Sequence, residues 1–259
     1  AEIRAPAGTL AGVSGFDLSF SSSEIHTTAD SLGVLVAMNP AALKANLQDL
    51  EKGGILIVNS DSFSENDLRK AEYAENPLET GELNDYRKVE IPITKLTLKA
   101  VEETGLSHRD GARCKNFFAL GVVDWLFVRS LDQTQEWIKA KFKSKAEVAV
   151  ANVLALQAGY NYAITIELFQ ARYYVPPAVL PSGEYRQISG NQALALGCVA
   201  ASFRSGLSLI YSSYPITPAS DILHELAQYK NFGVKTIQAE DEIAAMSSSI
   251  GSAFGGVLA

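Results

Sequence analysis

Short apolar runs alternate with helix-spaced stripes along this chain, and the alternation predicts an α/β fold with parallel strands. Gly33-Val34-Leu35-Val36-Ala37-Met38 is a continuous apolar run, as expected of a strand covered on both faces. Asn39-Pro40 follows with an N-cap and a proline at the first helical position. Ala41, Ala42, Leu43, Leu47 and Leu50 form a helical stripe, Gly53-Gly54 is expected to stop it, and Ile55-Leu56-Ile57-Val58 reads as the next buried strand. Short joints between such elements imply right-handed crossovers in a parallel sheet.

The same rhythm predicts a strand over Tyr86–Ile91, a helix over Thr94–Thr104 ended by Gly105, and helical structure from Ala112 to Tyr160. The longest apolar stretch, Phe117 to Val128, is interrupted by Asp124. It falls short of the ~20 residues that span a bilayer and reads as a buried helix carrying Trp125. Lys139, Lys141, Lys143 and Lys145 join two helices; cations there suit a helix C-terminus, with a phosphate contact as the alternative. From Phe169 to Gln187 helix and strand signals stop. Tyr173, Tyr174, Pro176, Pro177, Pro181 and Gly183 suggest an extended strap packed by its tyrosines, and a domain boundary. The rhythm then resumes: helix 191–204, strand 207–211, helix 218–229, strand 234–237 and a helix from Glu240 to Gly255. No internal repeat or low-complexity tract interrupts it.

Composition narrows the class without naming a function. Of 259 residues, 47% are hydrophobic and 20% charged, so the chain can bury a core, and a net charge of −7 argues against a general nucleic-acid surface. Cys114 and Cys198 have no paired spacing, and His26, His108 and His224 are scattered. Neither a disulfide framework nor a cysteine-held zinc or iron–sulfur site is expected, which fits a reducing cytoplasm. No signal peptide or membrane span is expected. The chain opens on Ala1-Glu2-Ile3-Arg4 and closes on Gly255-Gly256-Val257-Leu258-Ala259; both ends look cut, and a longer polypeptide is expected.

Two places could carry chemistry. Thr217 precedes Pro218 at the end of a strand-to-helix loop, where Thr at the N-cap with Pro at the first helical position is a sufficient structural explanation. The alternative is functional, since loops at the carboxyl ends of parallel strands face ligand crevices. Glu240, Asp241 and Glu242 would lie in a first helical turn, where acids complement the dipole. The helix behind them, through Ser247, Gly251 and Gly255, is dense in small residues, suited to close packing inside a domain or against a flat ligand.

Three ordered segments carry a resemblance: Gly190-Asn191-Gln-Ala-Leu-Ala-Leu-Gly197, Tyr214-Pro215-Ile216-Thr217-Pro218-Ala-Ser220, and Gln238-Ala-Glu-Asp-Glu242-Ile-Ala-Ala-Met246. Together they resemble the start of the alpha subunit of 2-oxoacid:ferredoxin oxidoreductases, particularly the 2-oxoglutarate type. The resemblance implies a gamma-type α/β domain over residues 1–165, incomplete at its start, a linker strap over 166–188, and over 189–259 the beginning of an α/β domain with a parallel sheet that binds the pyrimidine of thiamine diphosphate. It implies that Glu242 hydrogen-bonds the aminopyrimidine nitrogen of the cofactor and favours its imino tautomer, a role suited to a carboxylate shielded from water. Tyr214, Pro215 and Ile216 would line the cofactor, and Thr217 would orient a substrate carboxylate or the incoming thioester partner.

The resemblance also implies coenzyme A as co-substrate, magnesium with the thiamine diphosphate shared with a beta subunit, a [4Fe–4S] cluster in that beta subunit, electron transfer to ferredoxin, and a dimer of alpha–beta heterodimers. No Gly-Asp-Gly segment occurs for the metal–pyrophosphate half of such a site, so the chain is expected to supply only part of it. Pyruvate or broad 2-oxoacid specificity stays open beside 2-oxoglutarate. So do a non-redox decarboxylase and, from another class, a non-catalytic α/β interaction module, although no Gly-x-Gly-x-x-Gly follows any strand.

Overall fold

In the computed structural model, residues 12–25, 27, 29–168 and 172–259 are described. His26, the opening residues from Ala1 to Ala11, and Phe169–Ala171 at the start of the expected strap lie outside them. The chain divides at Leu180/Pro181 into two compact units.

The first unit is built on a three-stranded parallel sheet of order β1-β2-β3, with β1 Leu32–Ala37, β2 Leu50–Asn59 and β3 Arg87–Ile91. Asn39 caps α1 (Pro40–Asn46) by accepting from the Ala42 N–H at 2.8 Å, with Pro40 in the first turn, as its sequence predicts. The helix stops earlier than the stripe suggested. A 3₁₀ turn covers Leu47–Asp49 and Leu50 already begins β2, so Gly53-Gly54 lie inside a strand and do not end a helix. Gly54 has the tight surroundings that explain it: a Cβ there would stand 2.8 Å from the Glu51 carbonyl oxygen. A short helix α2 (Glu65–Lys70), capped by Ser64, precedes β3.

β2 shows why a central parallel strand reads as unbroken apolar sequence. Side chains alternate across a strand, so Ile55 and Ile57 enter one core with Phe118, Val122 and Leu126, while Leu56 and Val58 enter another with Leu43, Phe63 and Leu68. The first core is roofed by α3 (Ile93–Ala100), α5 (Lys115–Leu126) and α7 (Ala146–Thr165); the short α4 (His108–Arg113) leads into α5, and Ile138 of α6 (Asp132–Lys141) packs in a separate cluster with Ala149 and Leu156 of α7. The expected helix over 94–104 is α3 followed by a 3₁₀ turn, Glu102–Thr104, ended by Gly105 in the left-handed region (φ 73°). α3 has no side-chain cap of its own. Its free N–H groups are met from the end of β2 and the 3₁₀ turn after it (Ser60–Ser62): Asn59 Oδ1 accepts from Thr94 N at 3.3 Å and Asp61 Oδ2 from Lys95 N at 2.8 Å. Asn59 is fully buried and satisfied, its amide donating to Ser62 Oγ and Thr94 Oγ1.

α5 and α7 cross at two glycines. A Cβ on Gly121 would stand 2.1 Å from the Leu156 carbonyl oxygen, and one on Gly159 1.9 Å from that of Phe118. Only glycine lets these backbones meet at this distance. α5 is the buried helix expected around Trp125, and no helix among the described residues is long and apolar enough to cross a membrane. Asp124 on α5 has one buried carboxylate oxygen without a hydrogen-bond partner. Of the strap, Tyr173 packs as expected, stacked on Phe127 with ring centroids 5.4 Å apart and its N–H donating to the Leu126 carbonyl. Tyr174 is exposed and makes no such contact among the described residues, while the exposed Tyr185 donates its hydroxyl to the Pro181 carbonyl within the strap at 2.6 Å.

The second unit holds α8 (Gly190–Ser205), β4 (Ile210–Ser213), α9 (Ser220–Leu226), β5 (Lys235–Gln238) and α10 (Glu242–Phe254). Ser189 and Gln192 form a reciprocal capping box at the start of α8, the geometry a Ser-x-x-Gln spacing allows. β4 and β5 pair in parallel, and Leu209, Ala195, Ile222, Leu226 and Val234 form the core beside them.

Two consequences are measurable. Both tryptophans, Trp125 and Trp137, lie in the first unit, so tryptophan fluorescence reports its unfolding alone. Gly159→Ala is expected to lower its stability by about 3 kcal/mol, the upper range for overpacking, read as a fall in urea midpoint. Burial raises the Asp124 carboxyl from 3.8 to about 6, with Arg129 opposing. The folded state therefore holds the proton more tightly than the unfolded one, and stability falls as pH rises from about 4 to about 6. Asp124→Asn should flatten that slope and raise the melting temperature at pH 7; an unchanged pH profile would count against it.

Candidate functional site

β4 and β5 are adjacent and parallel, so their carboxyl ends open on the same side. The Tyr214–Ala219 loop leaves β4 there and the Ala239–Asp241 turn leaves β5. The Ala239 N–H donates to the Ser213 carbonyl at 2.7 Å and ties the two exits together. Thr217 and Glu242 thus sit on neighbouring exits.

The direction of the crossovers marks this edge further. From β4 the chain crosses through α9 to β5; from β5 it crosses through α10 back past β4, where Leu258 forms a parallel bridge with Leu209. Crossovers that leave in opposite directions with the same right-handed sense put their helices on opposite faces. The carboxyl end of β4 is therefore a topological switch point, the place where open α/β sheets leave a crevice for ligands.

The loop after β4 is held from two sides. Ser220 Oγ accepts from the Ile216 N–H and donates to the Ile216 carbonyl, both at 2.9 Å. Asn191 at the start of α8 donates its amide to the Pro218 carbonyl at 3.1 Å. Tyr214 is half-buried, whereas Pro215, Ile216, Thr217 and Pro218 are exposed. The Thr217–Pro218 peptide is cis. Thr217 does not cap α9, contrary to the structural expectation for it. The helix begins at Ser220, Ala219 occupies the cap position, and no side chain bonds there. The helix also ends at Leu226, short of the expected Tyr229, where a 3₁₀ turn follows at Lys230–Phe232.

On the other exit, the three acids have three different roles. Glu240 precedes the helix, Asp241 is its N-cap and accepts from the Ala244 N–H at 2.8 Å, and Glu242 is its first residue. The expectation of three acids in one helical turn is corrected accordingly. Glu242 is exposed within this chain, so the described residues do not supply the shielding expected for a carboxylate that activates a cofactor. Neither its carboxylate nor the Thr217 hydroxyl is engaged by another described residue. An acceptor at a helix N-terminus and a free hydroxyl on a rigid neighbouring loop suit a heteroaromatic ring with an N–H and a small polar substrate. Asn191 and Ser220, which hold the loop, were not singled out from the sequence for this; nothing in their spacing announces a tether across 27 residues. Among the described residues no group of three or more His, Cys, Asp or Glu is arranged to hold a metal ion.

This parallel α/β architecture, with its paired strand exits, has close relatives. The chain matches the pyruvate ferredoxin/flavodoxin oxidoreductase family over residues 5–162 and that family's thiamine-diphosphate-binding region over residues 203–259. It belongs to the pyruvate ferredoxin/flavodoxin oxidoreductase family. It is 56% identical, over its full length, to the 2-oxoglutarate oxidoreductase subunit KorA of Mycobacterium tuberculosis, of which it spans 40%. A 2-oxoacid:ferredoxin oxidoreductase alpha subunit of Aeropyrum pernix is 29% identical over 67% of this chain and 27% of its own length. The solved 2-oxoglutarate:ferredoxin oxidoreductase of Magnetococcus marinus, with 2-oxoglutarate, coenzyme A and succinyl-CoA bound, superposes with a TM-score of 0.61 at 27% identity, covering 92% of this chain and 37% of that one. The chain spans about two-fifths of the length of its M. tuberculosis relative.

The two exits make opposite stability predictions. Asp241→Ala removes a cap and should cost α10 about 1 kcal/mol, seen as faster amide exchange along Glu242–Phe254. Thr217→Ala removes no cap and should stay within about 0.5 kcal/mol; a comparable loss there would restore the capping role.

Proposed function

We propose that the chain is the part of a 2-oxoglutarate:ferredoxin oxidoreductase alpha subunit that receives the pyrimidine of thiamine diphosphate, in an enzyme that decarboxylates 2-oxoglutarate oxidatively in the presence of coenzyme A, or runs the reverse carboxylation. The observation that carries this is the placement of the free Glu242 carboxylate and the free Thr217 hydroxyl on adjacent exits of a parallel strand pair at a switch point. The 56% identity to a 2-oxoglutarate oxidoreductase subunit supports the substrate choice.

In this proposal Glu242 accepts a hydrogen bond from the protonated aminopyrimidine nitrogen and holds the ring in the tautomer that can take up a proton. Thiamine diphosphate, when bound, supplies the electron sink for loss of carbon dioxide. Tyr214, Pro215 and Ile216 form a stiff wall, held by Ser220 and Asn191. Thr217 donates its hydroxyl to the substrate carboxylate or to the incoming thioester partner.

Residues 1–165 serve as the gamma-type domain, 166–188 as the strap and 189–259 as the start of the pyrimidine domain. A beta subunit supplies the magnesium–pyrophosphate half, covers Glu242, and carries the [4Fe–4S] cluster from which ferredoxin takes electrons, in a dimer of alpha–beta heterodimers. Cys114 and Cys198 are free thiols, consistent with a reducing cytoplasm.

In the complete complex, Glu242→Gln is expected to lower kcat by about 100-fold, the low end for general acid–base contributions, with KM for the 2-oxoacid changed little. Unchanged turnover in a complex that still carries thiamine diphosphate would overturn the role. Assay of thiamine, iron and sulfide on the purified complex separates this from the reading as a non-catalytic interaction module, which predicts none of them.

A further inference from the structure

Residues 216–220 form a closed ring. The Ile216 N–H donates to Ser220 Oγ at 2.9 Å, and the Ile216 carbonyl accepts from Ser220 Oγ at 2.9 Å and from the Ser220 N–H at 2.8 Å. Thr217 lies inside the ring, so these bonds fix the local path of its backbone. They do not fix where the ring stands against β4 and β5, because each joins the ring only to itself. Burial does not fix it either, since Pro215, Ile216, Thr217 and Pro218 are all exposed.

Among the described residues, one hydrogen bond reaches residues 215–219 from outside the loop and α9: the Asn191 side-chain amide donates to the Pro218 carbonyl at 3.1 Å. Its origin is firmly seated. Asn191 is the second residue of the 16-residue helix α8, whose first turn is closed by the Ser189–Gln192 capping box and whose Ala195 is fully buried in the core with Leu209 and Ile222. The bond requires an N–H donor on residue 191, because a carbonyl oxygen only accepts. The acceptor belongs to the residue directly after Thr217. Glu242 stands on the other exit, which the Ala239 N–H ties to the Ser213 carbonyl without Asn191.

We propose, resting on the roles given above to Thr217 and Glu242, that Asn191 is a positioning residue: its amide sets where the Thr217 hydroxyl stands relative to Glu242, and so aligns the substrate with the cofactor ring. Asn191 acts through the Pro218 carbonyl and not on the substrate. A misplacement of about 1 Å can cost a reaction on the order of 100-fold, so a single tether on an exposed loop is enough to matter.

The telling substitution is Asn191→Asp. It keeps the shape of the side chain but turns the donor into an acceptor facing a carbonyl oxygen, so the tether is lost. An acid in the first turn of α8 suits the helix dipole, so the helix itself is not weakened. In the complete complex, kcat/KM for 2-oxoglutarate is expected to fall about tenfold, mostly through KM, with melting temperature and bound thiamine diphosphate unchanged. In a Thr217→Ala background the same substitution should change kcat/KM little, since residues acting as one unit are not additive. An undiminished loss in that background, or a loss that tracks a lowered melting temperature, would overturn the proposal and leave Asn191 a purely structural contact. So would unchanged kinetics of Asn191→Asp where Thr217→Ala is impaired, and neither result touches the reading of the site. Unimpaired kinetics of Thr217→Ala, or full turnover of Glu242→Gln, would overturn the site reading and the role of Asn191 with it.

Discussion

A parallel sheet has to be covered on both faces, and most of this chain can be understood from how each unit meets that demand. In the first unit the demand is met internally. β2 sends Ile55 and Ile57 into one core and Leu56 and Val58 into the other, and helices cover both. The close crossing at Gly121 and Gly159 lets α5 and α7 form a tight roof over one of them. The second unit meets the demand only in part. Its two strands have a core of five buried residues on the α8–α9 side, while α10 presents Ile243, Met246, Ile250 and Phe254 outward, the last 92% exposed. A helix with apolar residues at this spacing on its outer face is built to be covered.

The same contrast bears on the site proposed above for Thr217 and Glu242. In the first unit the groups at the carboxyl ends of the strands are consumed by structure: Asn39 caps α1, and Asn59 and Asp61 cap α3 from across the sheet. In the second unit the corresponding positions carry Thr217 and Glu242, and capping is done by others. Asp241 satisfies α10, and Ser220 and Asn191 hold the loop. Freed from capping, the threonine and the glutamate are available to a ligand. The family to which the chain belongs makes that ligand thiamine diphosphate in the function proposed here.

Much of this was legible in the sequence where local chemistry and tertiary demand agree. The runs 33–38 and 55–58 read as buried strands because both faces of the sheet are covered, and Asn39-Pro40 announced α1 because cap and first-turn proline act locally. Element ends were less legible. Leu50 fitted a helical stripe, yet pairing with Leu32 drew it into β2; a neighbouring strand outweighed helical periodicity. Thr-Pro at 217–218 had the composition of a helix start, but the hydrogen bonds of Ser220 to Ile216 moved the start downstream. Glu242 was singled out by motif as a candidate, while its separation from Asp241, one acid capping and the next free, needed the backbone. The tether from Asn191 had no signature, because it joins residues far apart in sequence.

That tether links motions as well as positions. The Asn191 amide donates to the Pro218 carbonyl and so couples the β4 exit loop to the first turn of α8, and that turn is closed in its own ring of bonds between Ser189 and Gln192. A ligand that repositions Thr217 must therefore either carry the head of α8 with it or break the Asn191 bond. Whatever lies against the start of α8 gains a direct mechanical connection to the occupancy of the loop.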